Sequence, residues 1–148
     1  MLRDVYSGYL KLRGEEHEGT IITDSNLADS LMKLERIKEA KSVLRKMVPV
    51  ARRVLGENQG LTLKMRSIYA QSLYGDPAAM LADLREAGTT LEEMERTARR
   101  VLGGAHPLTV DIGKSLRESR EALSAREVSS LGDAMAAMTP QDAQDPSS

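Results

Sequence analysis

The sequence predicts an all-α fold, an α-solenoid of antiparallel helix pairs, from three observations. The first is an internal repeat: Arg52-Arg53-Val54-Leu55-Gly56 recurs unchanged as Arg99-Arg100-Val101-Leu102-Gly103, a spacing of 47. The second is apolar periodicity. Ile37, Ala40, Leu44, Met47, Ala51 and Val54 are spaced three, four, three, four, three, and Leu84, Ala87, Leu91, Met94, Ala98 and Val101 repeat that stripe. Such spacing marks one face of a helix, not a strand. The third is composition: 41% hydrophobic residues but only 3% aromatic, with no Phe and no Trp. A core of Leu, Val, Ile, Met and Ala suits helices better than sheets.

Each element follows in chain order. Leu2, Val5, Tyr6 and Tyr9 lie at helical spacings within residues 1–12, which read as the second helix of a truncated preceding unit. Ile22, Leu27, Leu31 and Leu34 place a first-type helix at about Thr20 to Leu34. The longer stripe then gives a second-type helix from Arg36 to Leu55. Gly56 follows it, supplying a residue that ends helices at little conformational cost, and Arg52-Arg53 sit in the last turn, where cations suit the helix dipole. Leu63, Tyr69, Ala70 and Leu73 place the next first-type helix at Leu61 to Tyr74, and the second stripe spans Ala79 to Leu102. A last first-type helix runs from Pro107 to about Leu123, beyond which Val128, Leu131, Met135 and Met138 keep helical spacing. Thr139 to Ser148 is polar, contains proline and reads as a disordered tail.

The units are about 14–55, 56–102 and 103–138, forming one repeat domain over 1–138 with a tail at 139–148. Gly14, Glu15 and Thr20 fall on Gly56, Glu57 and Thr62 at a spacing of 42, which is five shorter than the later one. An insertion at Tyr74-Gly75-Asp76-Pro77-Ala78 accounts for the difference, since Gly and Pro mark a loop. Two irregularities interrupt the stripes. Pro49 removes a backbone hydrogen bond inside the first and predicts a kink. Gly88-Thr89-Thr90, with Glu93 at capping-box spacing from Thr90, offers the second a fresh helix start. Both stripes keep phase through these points, so continuous helices are expected.

The turn between units resembles that of tetratricopeptide repeats of the 42-residue kind found in kinesin light chains, which carry Leu-Gly, two variable residues, His-Pro, one variable residue and Thr. Leu102-Gly103-Gly104-Ala105-His106-Pro107-Leu108-Thr109 fits in full. Leu55-Gly56-Glu57-Asn58-Gln59-Gly60-Leu61-Thr62 has Gln-Gly for His-Pro, and Arg13-Gly14-Glu15-Glu16-His17-Glu18-Gly19-Thr20 has Arg for Leu and Glu for Pro. Asn26-Leu27-Ala28 and Glu39-Ala40 also match the family's pattern. The resemblance, over about Arg13 to Leu116, implies a right-handed superhelix whose first-type helices line a concave peptide-binding face. The family's groove asparagine occurs once, at Asn26; Ile68 and Ser115 stand at its counterparts.

On that geometry the positions off the buried stripes are Thr23, Asn26, Ser30 and Lys33, then Met65, Ile68 and Ser72, and further along Ile112, Ser115 and Ser119. The first seven form the expected peptide-binding surface. Met65 and Ile68 would supply an apolar patch between polar neighbours.

Other residues read as structural. His17 and His106 occupy one turn position, and a metal site would need further converging ligands. Glu15-Glu16 and Glu92-Glu93 suit solvated helix faces, the arginine pairs suit helix ends, and Met47 and Met94 belong to the core stripes. With 21 Lys plus Arg against 22 Asp plus Glu, net charge is -1 and no field favours nucleic acid or anionic lipid. No cysteine is present, removing disulfides and sulfur-based zinc sites. No apolar run spans a bilayer, and charges at Arg3, Asp4, Lys11 and Arg13 interrupt any signal-type segment. No elbow serine or phosphate loop is found. The expectation is a cytoplasmic, non-catalytic module without cofactor or metal that binds a protein or peptide, not nucleic acid or membrane. The alternative is self-association through exposed repeat ends.

Overall fold

A computed structural model of the chain describes residues 18–138. Among these residues there are five helices and no strand: α1 (Glu18–Lys33), α2 (Ile37–Leu55), α3 (Gly60–Tyr74), α4 (Leu81–Val101) and α5 (Pro107–Ala137). The fold is all-α. The expected helix at 1–12, the first turn motif with His17 and Glu15-Glu16, and the tail at 139–148 lie outside the described residues.

The helix ends follow from local chemistry. Gly56 and Gly103, matched in the repeat, both take positive φ, at 98° and 91°, where a side chain would be strained. The Gly56 N–H donates to the Arg52 carbonyl at 3.1 Å, and that of Gly103 donates to the Ala98 and Arg99 carbonyls at 3.2 Å. At the opposite ends, Gln59 and His106 cap α3 and α5. The Leu61 N–H donates to Gln59 Oε1 at 2.6 Å, and the Leu108 N–H donates to His106 Nδ1 at 3.1 Å. Gln-Gly therefore replaces His-Pro with the cap retained, since either side chain offers an acceptor to an otherwise orphaned helix donor.

Both second-type helices are continuous. Pro49 sits on an exposed side of α2, where solvent reaches the turn that lost its hydrogen bond. α4 runs unbroken through Gly88-Thr89-Thr90. The last helix runs past its expected end near Leu123 through the residues that keep helical spacing: α5 is one helix of 31 residues. Nothing between Leu123 and Ala137 but the lone Gly132 could break it, and one glycine without a turn partner does not stop a helix.

Packing makes α3 the centre. Consecutive helices touch, α3 also touches both α1 and α5, and α2 and α4 do not touch each other. First-type helices therefore form one layer and second-type helices the other. One buried cluster joins Ile21 and Ala28 of α1, Leu44, Met47 and Ala51 of α2, and Met65 and Ile68 of α3. A second joins Ala70 and Leu73 of α3, Leu91, Met94 and Ala98 of α4, and Ile112 and Leu116 of α5. The repeated alanines Ala40 and Ala87 are fully buried, as their stripes require. Val54 and Val101, the last residues of both stripes, are exposed, and the next residues, Leu55 and Leu102, pack on the clusters instead.

Candidate functional site

Among the clefts on the described residues, two lie on opposite layers. The first, about 430 Å³, crosses the first-type helices. Met32 of α1 lies at one side, Gln71 and Tyr74 of α3 form the middle, and Asp111, Lys114 and Glu118 of α5 form the far wall. Cross-helix hydrogen bonds set this surface: Gln71 Nε2 donates to Ser115 Oγ at 3.0 Å, and the Tyr74 hydroxyl donates to Glu118 Oε2 at 3.1 Å. Lys114 Nζ stands 4.0 Å from the Glu118 carboxylate one turn on. Burial pushes the Tyr74 phenol up to about 12; hydrogen bonding with Ser115 opposes that shift and the Glu118 charge reinforces it. The phenol is thus a fixed neutral donor beside a carboxylate.

The expected peptide-binding residues divide. Thr23, Asn26, Ser30 and Lys33 are partly or fully accessible on α1. Thr23 Oγ1 donates to the Gly19 carbonyl at 2.9 Å, and Lys33 pairs with Asp29 at 3.1 Å. None of the four lines the cleft; Met32 does, more than a third of a turn away from their centre around the helix. Met65, Ile68 and Ser72 are a correction. All three are buried, as are Ile112 and Ser119, so they form interior contacts and not an open face; Ser115, also buried, reaches the wall of the cleft through its hydroxyl. The expectation gave α3 one buried side, whereas four helices surround it. Its sequence carries the signal: Leu61, Leu63, Met65, Ile68, Tyr69, Ala70, Leu73 and Tyr74 spread over about two thirds of the helix circumference, the pattern of a helix covered on most sides.

The second cleft, about 290 Å³, lies between α2 and α4, over a different side of α3. Arg45, Pro49 and Arg52 form the α2 wall, and Glu86, Thr90 and Glu93 the α4 wall. Its floor includes Arg66, only 8% exposed, whose Nε has no hydrogen-bond partner among the described residues. Burial holds the Arg66 guanidinium below its ordinary value; Arg52 adds to that, while Glu57 and Glu93 oppose it. Arg52 already pairs with Glu57 at 3.7 Å.

Among the described residues, no three His, Cys, Asp or Glu side chains gather as a metal site, and no helix is long and apolar enough to cross a membrane. Comparison with protein-family models, curated proteins and solved structures finds no match to this chain.

Proposed function

We propose that the chain is a non-catalytic protein-interaction module, a tetratricopeptide-like α-solenoid that holds a peptide or protein segment along its first-type helices. The observation that carries this reading is a single cleft to which all three first-type helices, α1, α3 and α5, contribute side chains. Met32 and the ring of Tyr74 offer apolar contact, while Asp111, Lys114 and Glu118 offer both signs of charge. That mixture orients a peptide with an apolar anchor and a charged neighbour. Asn26 and Lys33, exposed on α1, would extend the surface for a longer segment.

Peptide display on the full chain tests this. Selected peptides should bind the wild-type protein and compete with one another. Tyr74→Ala and Lys114→Glu should weaken them about tenfold or more, while Arg96→Glu on α4 should leave them unchanged. If nothing is enriched, or the enriched peptides bind both cleft variants equally, the reading fails.

A separate observation favours self-association as a second reading. Val128, Leu131 and Met135 form a stripe along the end of α5, with Met138 just past it, and the four are between 62% and 70% exposed. Pairing of this end with a second copy would cover it. Sedimentation equilibrium decides between them: a concentration-dependent dimer abolished by Leu131→Glu with Met135→Glu supports pairing, and a monomer at all concentrations removes it.

A further inference from the structure

The cleft between α2 and α4 carries charge that packing does not require. A buried guanidinium is costly unless paired, because it gives up water and leaves donors unsatisfied. Arg66 makes no ion pair or side-chain hydrogen bond among the described residues. The repeat does not demand it either. Its equivalents in the other two units are Asp24 and Gly113, also buried, so the position tolerates quite different side chains.

The facing walls sharpen the point. Arg45 and Arg52 on α2, and Glu86 and Glu93 on α4, occupy the same four-then-three helical spacing across a gap the two helices do not close. Arg45, Glu86 and Glu93 also make no ion pair among the described residues. Positive charge therefore lines one wall and the floor, and negative charge lines the other.

We propose that this cleft binds a small zwitterionic ligand, a free amino acid or a dipeptide, with its carboxylate on Arg66 and its ammonium toward Glu86 and Glu93. The guanidinium fork matches a carboxylate through two parallel hydrogen bonds, which would supply the donors of Arg66 with acceptors. The two glutamates oppose a dianion such as phosphate but complete a ligand that carries its own cation. Volume agrees: about 290 Å³ falls at the small end of ligand pockets. Val48 and the Tyr69 ring beside the charges give an aliphatic side chain apolar contact. This site is separate from the peptide-binding cleft and does not depend on it.

Calorimetric titration of the full chain tests the proposal, with L-leucine and leucyl-leucine as zwitterions. N-acetyl-leucine, which lacks the cation, leucine amide, which lacks the anion, and inorganic phosphate serve as comparisons. At least one zwitterion should bind saturably at one site, and each comparison should bind about tenfold more weakly or not at all. Arg66→Met should abolish binding and raise the melting temperature of the free protein, because it removes an unpaired buried charge. A structural arginine would instead lower it. Glu93→Gln, an exposed change that leaves folding intact, should erase the preference for leucine over N-acetyl-leucine. Three results overturn the proposal: no saturation by either zwitterion up to about 10 mM, phosphate binding as tightly as leucine, or unchanged leucine binding by a folded Arg66→Met or Glu93→Gln protein.

Discussion

Lys41 of α2 reaches across to Asp76 in the loop between α3 and α4, Nζ to Oδ2 at 3.4 Å, with the two side chains only 15% and 11% exposed. Asp76 lies within the insertion that lengthens one repeat spacing over the other, and its Oδ1 also accepts the Ala78 N–H at 2.9 Å. The longer loop is thus held by its own turn and pinned to the preceding unit. The Ala78 hydrogen bond, with a smaller part from Lys41, depresses the Asp76 carboxyl below its ordinary 3.8, against the effect of burial. Its contribution to stability is therefore present above the ordinary carboxylate range and lost as pH falls through the depressed value. Asp76→Asn should be less stable than wild type at neutral pH, and the two should converge in acid. Denaturant melts across that range check it; a gap that persists unchanged at low pH would assign the loss to something other than the charge.

The caps at Gln59 and His106 serve corresponding helices by the same acceptor geometry. Gln59→Ala and His106→Ala should each cost about 1 kcal/mol, the usual loss for removing a side-chain N-cap. Chemical denaturation of the two variants measures this, and the double variant should be additive because each cap bonds only within its own turn and the two share no partner.

Tyr74 should titrate late. Its folded value near 12, against an ordinary 10.0, means that its contribution is complete below 10 and is lost as pH rises from about 10 to about 12. Spectrophotometric titration of tyrosinate, with Tyr74→Phe as the reference, isolates this group. Glu118→Gln should lower its midpoint, since it removes the nearby negative charge.

Met65 provides the direct test of how α3 is enclosed. Met65→Glu should destabilise by about 3 kcal/mol or more, since a carboxylate would be forced into the cluster with Leu44 and Ala51. Thermal melting reads the result. A loss within about 1 kcal/mol would instead describe a surface position.

Ala87 packs against the layer that α3 and α5 present to α4. Ala87→Leu should cost about 1 to 3 kcal/mol by overpacking, with the same range for Ala40→Leu in the matched position. Equal melting midpoints for Ala87→Leu and wild type would mean that the alanine stripe is not a close contact.

The sequence by itself determined the helices and most of their ends, though not how far α5 runs past Leu123. Periodicity reports which face of a helix avoids water, and glycine, proline and capping side chains act within a few residues of themselves, so all of this information is local. It therefore gave Leu44, Met47, Leu91 and Met94 as core, and Gly56 and Gly103 as stops. Tertiary structure alone decided how many sides of each helix are covered. α3 is enclosed by four neighbours, which turns Met65, Ile68 and Ser72 inward and leaves Gln71 and Tyr74 to reach the cleft, while among the described residues the end of α5 has no second helix to cover it. The position of Arg66 beneath a gap between α2 and α4 was also set there. The walls of that gap are far apart in the chain, and only the packing of both helices on α3 brings their charges to face one another.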